Sequence, residues 1–237
     1  MNEQGKRYES AMKELDKNKV YSPEEAVALV KKMATAKFDE TVELHLRMGL
    51  DPRNSAQQVR GVALLPFGLG KQVRVLVFAQ GEAARTAEAG GADFVGADEL
   101  VKKIEEGWTE FDIAIATPDM MSKVGKLGRV LGRKGLMPNP KSGTVVNPGD
   151  LPKVLQDARK GRVEFKLDRT SIIHVVVGKA SFDQEKLVGN LSAIVDAIVK
   201  ARPAGAKGQY VRTAYLTSSM GPGVKLDLKT TLDLTAS

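Results

Sequence analysis

The chain has 237 residues, 42% hydrophobic and 27% charged, with no cysteine and a formal net charge of +7 from 36 lysines and arginines against 29 aspartates and glutamates. That length suffices for one large core or two smaller ones, and the absence of cysteine excludes disulfides, thiolate metal sites and a cysteine nucleophile. No apolar run is long enough to cross a bilayer and the polar start Met1–Tyr8 lacks the apolar stretch of a secretion signal, so a cytoplasmic location without membrane contact is expected.

In chain order, Ser22-Pro23-Glu24-Glu25 predicts a helix start: Ser22 caps, Pro23 fits the first turn and Glu25 completes a capping box. Ala26, Val27, Leu29, Val30 and Met33 supply its apolar stripe. After Phe38 the period changes to two. Val42, Leu44, Leu46, Met48 and Leu50 share one face of a strand, and Thr41, Glu43, His45 and Arg47 the other. Asp51-Pro52 ends this strand and Val59–Leu65 reads as a second.

Pro66–Gly70 interrupts the pattern, and beyond it strands and helices alternate: strand Val73–Phe78, helix Glu82–Ala89, strand Phe94-Val95, helix Asp98–Gly107, strand Asp112–Ala116. This alternation predicts a small doubly wound α/β domain. Lys126–Lys141, rich in glycine and proline, reads as irregular, and a last helix near Leu151–Arg159 runs into Lys160-Gly161. Antiparallel-sheet patterning then returns. Val163–Leu167 and Ile172–Val177 read as strands around the turn Asp168-Arg169-Thr170, and Leu187, Val188, Leu191, Ile194, Val195 and Ile198 as the stripe of a long helix. Arg212–Thr217 and Val224–Leu228 are the last strands. The expected fold is a mixture of α/β and α+β in two domains: a discontinuous α+β domain of residues 1–67 and 160–237, with residues 68–159 inserted in it as an α/β domain.

The positive charge is unevenly placed. Met120–Gly149 has no acidic residue and six cations (Lys123, Lys126, Arg129, Arg133, Lys134 and Lys141), and Ala197–Leu226 has none against Lys200, Arg202, Lys207, Arg212 and Lys225. Such stretches favour contact with a polyanion. Catalytic machinery does not assemble. Gly68-Leu69-Gly70-Lys71 precedes its strand, whereas phosphate-binding loops follow one. His45 and His174 lie in separate strands without a ligand cluster, and Ser218 and Ser219 lack a nucleophile's setting. No catalytic residue, metal or cofactor is expected.

A binding reading fares better. Thr217-Ser218-Ser219-Met220-Gly221-Pro222-Gly223 joins two strands with hydroxyls, a flexible apolar side chain and glycines, which suit 2′-hydroxyl and phosphate contacts or, more blandly, a hairpin turn. Phe38 either stacks on a base or closes the core.

Five segments carry a more specific resemblance: Ala36–Glu43, Pro66–Lys71, Gly128–Pro140 (GRVLGRKGLMPNP), Gly178–Phe182 and Thr217–Pro222. In this order they resemble the hallmark stretches of the bacterial large-subunit ribosomal protein L-one (universal uL-one) family. The resemblance implies a discontinuous first domain, a Rossmann-like second domain, and no enzymatic activity. It implies binding to a large-subunit rRNA junction that forms the mobile side stalk near the tRNA exit site, where other ribosomal components and exit-site tRNA are partners. Help in releasing deacylated tRNA, and repression of the protein's own operon mRNA, are implied as well. By motif the rRNA site carries over to Lys37, Phe38, Thr41, Glu43, Thr213, Ser218, Ser219, Met220 and Gly221, with Lys166, Arg169 and His174 on neighbouring strands. Lys126, Arg129, Arg133, Lys134 and Lys141 are candidates for a secondary RNA contact. Ser219 stands where the family often has threonine, and the tail Lys225–Ser237 runs past the family's usual ending. The competing readings are a Rossmann-like nucleotide-using enzyme and a general double-stranded nucleic-acid binder.

Overall fold

The computed structural model describes residues 5–234. Its chain begins with α1 (Lys6–Glu14), α2 (Pro23–Met33), β1 (Thr41–Met48) and β2 (Arg60–Leu64). Then come β3 (Val75–Phe78), α3 (Glu82–Ala89), β4 (Phe94–Gly96), α4 (Asp98–Glu105), β5 (Ile113–Ala116), α5 (Met121–Val124), α6 (Gly128–Lys134) and α7 (Leu151–Gly161). It closes with β6 (Arg162–Lys166), β7 (Ile172–Lys179), α8 (Gln184–Lys200), β8 (Val211–Ser218), β9 (Val224–Lys225) and α9 (Leu228–Leu232). This mixed α/β fold divides into two compact units, Met1–Gly70 with Val163–Ser237, and Lys71–Arg162. Gly70, the last residue of the first unit's leading segment, adopts a φ of 71° against the Phe182 ring, which a Cβ would approach to 2.7 Å.

The first unit is a two-layer structure. Its main sheet has the order β7-β1-β8-β9, with β1 antiparallel to both β7 and β8. The alternation in β1 places Val42, Leu44, Leu46 and Met48 in the core, joined by Ile173, Val175 and Val177 of β7 and by Ala214 and Leu216 of β8. Ala26, Val27, Val30 and Met33 of α2, and Leu187, Leu191, Ile194, Val195 and Ile198 of α8, cover that face. Burial of these aliphatic side chains at about 1.5–3 kcal/mol each is what holds sheet to helices. With both helices on one side, the side chains of Thr41, Glu43, His45 and Arg47 on the other are left partly or fully exposed.

The helix start at Ser22 is half of the expected box. The Ser22 hydroxyl accepts from the Glu25 amide at 3.3 Å, while the Glu25 carboxylate pairs with Lys19 at 3.2 Å rather than reaching back. The strand at residues 162–166 pairs with β2, and the bridge Leu167–Ile173 just beyond it reaches β7. Phe165 explains the partner: its ring lies over Gly61, where a Cβ would come within 2.6 Å. The last expected strand stops at Lys225 because Asp227 accepts from the Lys229 amide at 3.2 Å and starts α9. Thr231 of that helix is buried. Of the tail, Thr235–Ser237 lie outside the described residues.

The second unit has a parallel sheet in the order β4-β3-β5. Val75, Leu76, Val77 and Phe78 of β3 are all fully buried, as a central strand covered on both faces requires. Val75 and Val77 pack in one cluster with Ala83, Ala87, Leu151 and Leu155, and Leu76 and Phe78 in another with Leu100, Ile104, Val124, Leu127 and Leu131. The Lys126–Lys141 stretch, read as irregular, is helical up to Lys134. Val124, Leu127 and Leu131 are buried along one helical stripe, and the left-handed Gly135 ends α6 before the prolines arrive.

Asn190 is one of the buried polar residues of the first unit. Fully buried, it accepts from the Phe67 amide at 3.1 Å and donates to the carbonyls of Gly68 at 2.9 Å and Val177 at 2.8 Å. It thereby ties the segment leaving the unit to β7. Asn190→Ala would leave three backbone groups without partners. Denaturant unfolding should show a loss of about 2–4 kcal/mol, and an unchanged midpoint would contradict this role.

Candidate nucleic-acid interface

Two segments meet where the two inner strands of the main sheet end: Ala36–Thr41, which enters β1, and Ser218–Gly221, which leaves β8. Glu40 joins them. Its side chain is 1% exposed, and its two oxygens accept from different amides, Ala36 at 2.8 Å and Met220 at 3.0 Å. Beside it, the Thr41 amide donates to the Ser219 hydroxyl at 3.0 Å, so the segments are braced twice. Burial pushes the Glu40 carboxyl pKa up, but the adjacent Ser218 hydroxyl, the two amides and the Arg7 charge outweigh it and hold the group below its ordinary value. Ser218 Oγ is buried and finds no well-aligned hydrogen-bond partner, so its influence on Glu40 is that of a nearby dipole.

Loop chemistry fixes the second segment. The Thr217 hydroxyl donates to the carbonyls of Ser218 and Gly221 at 3.0 and 3.1 Å, and the Gly221 amide returns to the Ser218 carbonyl at 3.2 Å. A Cβ on Gly221 would come within 2.5 Å of the Ser218 hydroxyl oxygen, so a larger residue there would have to turn that hydroxyl away. The first segment is held from the other side. Asp39 accepts from the Ser181 amide at 3.1 Å and hydroxyl at 2.8 Å, and Lys179 donates to the Thr41 hydroxyl at 2.9 Å.

What this scaffold presents is apolar at two points. Phe38 is 56% exposed and Met220 51% exposed, each on a backbone pinned by Glu40 or its neighbours. The strand begins at Thr41, so Phe38 precedes the regular alternation and does not join the buried even-numbered face. Lys37 is exposed beside Phe38 and has no ion pair among the described residues. Ser219 is exposed, while Ser218 is 3% exposed with its hydroxyl turned inward, a supporting position under the loop.

The polar sheet face continues from these segments. Cross-strand register sets Glu43 opposite Thr217, His45 opposite both Tyr215 and His174, and Arg47 opposite Thr213. Directly opposed residues share a face, so Glu43, Thr213 and His174 line one surface with Thr41. Lys166 and Arg169 are exposed at the end of β6 and in the following turn. Lys126, Arg129, Arg133, Lys134 and Lys141 are exposed on the other unit. Residues at this face that were not singled out as site residues from the sequence include Glu40, His45, Arg47 and Tyr215. Tyr215 alternates with Thr213 and Thr217, a signal that was available; the inward turn of Glu40 left none. Among the described residues, no group of three His, Asp or Glu could hold a metal ion, and no helix is long and apolar enough to cross a membrane.

Phe38→Ala tests the exposed placement. Loss of an exposed ring should change stability by no more than about 0.5 kcal/mol, while RNA affinity falls by roughly 1–3 kcal/mol, the size of a lost base stack. Thermal melting and an RNA titration on the same variant read both. A large stability loss with unchanged affinity would return the ring to the core.

Comparison with known proteins agrees with the earlier resemblance. The model of the ribosomal protein L1p/L10e family matches residues 30–222. The chain is also 64% identical over 225 residues, covering 95% of each chain, to proteins named large ribosomal subunit protein uL1 from three strains of Dehalococcoides mccartyi. These relatives carry the name of a ribosomal protein and not of an enzyme. The chain belongs to the ribosomal protein L1p/L10e family.

Proposed function

We propose that this chain is a non-enzymatic constituent of the large ribosomal subunit that binds rRNA through the first unit. The observation that carries the reading is the pair of exposed apolar side chains, Phe38 and Met220, held on a hydrogen-bonded mount beside the exposed Lys37. Exposed rings suit base stacking, exposed amides and hydroxyls suit ribose and phosphate, and cations supply the long-range attraction. On this reading the site comprises Lys37, Phe38, Thr41, Glu43, Thr213, Ser219, Met220 and Gly221, supported from within by Ser218 and Glu40. Lys166, Arg169 and His174 extend it. Lys126, Arg129, Arg133, Lys134 and Lys141 form a separate, secondary contact.

Family membership supports a finer reading. The bound RNA is a junction of the large-subunit rRNA, the complex forms the mobile side stalk near the tRNA exit site, and the protein assists release of deacylated tRNA. A similar structure in the protein's own operon mRNA makes it a translational repressor. Its place is then cytoplasmic, within the large subunit among other ribosomal components.

Chemical footprinting of deproteinised large-subunit rRNA tests the core of this proposal, with two variants dividing the energetics. Lys37→Ala should weaken binding to every RNA alike and reduce the salt slope by about one. Met220→Asp should abolish the protected footprint, because it removes an apolar contact and sets an anion beside phosphates. No footprint with the unmodified chain, or equal losses on cognate and unrelated RNA for both variants, would contradict the proposal.

A further inference from the structure

In the middle of the polar sheet face, His45 of β1 and His174 of β7 stand directly opposite each other in register. Their Nδ1 atoms are 2.7 Å apart and the rings meet edge to face, with centroids separated by 4.9 Å. A contact that short between two imidazole nitrogens requires one to donate and the other to accept. The outer nitrogens face carboxylates: Nε2 of His45 lies 3.8 Å from Glu43, and Nε2 of His174 lies 3.6 Å from Asp168. The pair therefore has a definite proton capacity. Two protons fill the inner bond and one outer nitrogen and leave the pair neutral. A third occupies the remaining outer nitrogen, facing its carboxylate, and gives a charge of +1. A fourth would set N–H against N–H across 2.7 Å and is excluded while the pair is closed.

We infer that His45 and His174 form a proton-binding dyad within the RNA interface, which takes up at most one proton when RNA phosphate docks on this face. The inference rests on the reading of this sheet face as the RNA site. The side chains here are partly open to solvent, 26% for His45 and 52% for His174, so the charge is accessible to an approaching phosphate. The other groups on this face are Arg47 on β1, Tyr215 on β8 opposite His45, and Lys225 on β9 opposite Tyr215. Arg47 and Lys225 oppose a resting positive charge on the dyad, whereas Glu43 and Asp168 favour it. In the free chain, burial and the His174 charge together lower the His45 pKa, with Glu43 acting against them. Phosphate adds negative potential and shifts the balance toward the charged pair.

The sign follows by linkage. A complex that holds more protons than its free components is favoured at low pH, so affinity falls as pH rises through the histidine range. Between about pH 6 and about pH 8 at fixed ionic strength, affinity for deproteinised large-subunit rRNA should fall about threefold to tenfold, short of the tenfold per pH unit of a fully linked proton. Titration calorimetry near neutral pH, in two buffers of different ionisation enthalpy, should register an uptake between zero and one proton. His45→Gln and His174→Gln should each reduce it, and the double variant should abolish the protein's share, while all three melt as the unmodified chain does, since either substitution removes the shared bond and both together remove every imidazole of the pair. Protons taken up by the RNA itself would persist in all three variants. Binding with no proton uptake, or with uptake unchanged in all three variants, overturns the dyad while leaving the RNA interface standing. Absence of rRNA binding at every pH overturns the interface reading, and the dyad's role with it.

Discussion

Glu40 is a buried carboxylate that accepts one amide from the segment before β1 and another from the loop after β8. The two segments are about 180 residues apart in sequence, and each is short and mostly outside the regular strands. A carboxylate suits this position because both of its oxygens accept and neither must donate. Charge-assisted bonds to backbone amides are about twice as strong as neutral ones, which offsets the desolvation of the group. The consequence for function is pre-organisation. Phe38 and Met220 are presented on backbone whose orientation is already set, so less conformational entropy is lost when a ligand orders them.

The sheet beneath separates stability from recognition. Its inner face is aliphatic and closed by α2 and α8, which supplies the burial that keeps the unit folded. Its outer face carries Thr41, Glu43, His45, Arg47, Thr213, Tyr215 and Thr217, and little of the core depends on them. Strand alternation converts one primary sequence into these two surfaces. Substitutions on the outer face can change what is bound while leaving the core intact.

Much of this was legible in the sequence where a local rule dominates. The period of two in Val42–Met48 gave both faces of β1, the capping signal at Ser22 gave the start of α2, and the apolar run at Val75–Phe78 gave a buried parallel strand. Hydroxyls, methionine and glycines at 217–223 marked a binding loop, although the inward turn of Ser218 depends on tertiary contacts. Where the reading departed from the structure, a non-local or competing preference prevailed. Val163–Leu167 reads as a strand turning back onto Ile172–Val177, but Phe165 over Gly61 draws residues 162–166 to β2. Glycines at 125, 128 and 132 suggested disorder of pattern, yet they occupy positions of a helix whose buried stripe is Val124, Leu127 and Leu131. Glu40 was hidden because an acidic residue among Asp39, Glu40 and Glu43 reads as solvated surface until the second segment is placed beside it.

The claim on which the account turns is that one carboxylate holds both segments in a single site. Amide hydrogen exchange of Ala36 and Met220, compared between the unmodified chain and Glu40→Gln, tests it most directly. The glutamine side chain cannot accept equally from both amides, because one oxygen becomes a donor. The account predicts faster exchange at both positions, by about tenfold or more for a loss of ~1.4 kcal/mol, with the core amide of Leu44 protected as before. Unchanged exchange at both amides, or acceleration only together with Leu44 and the whole sheet, would contradict it.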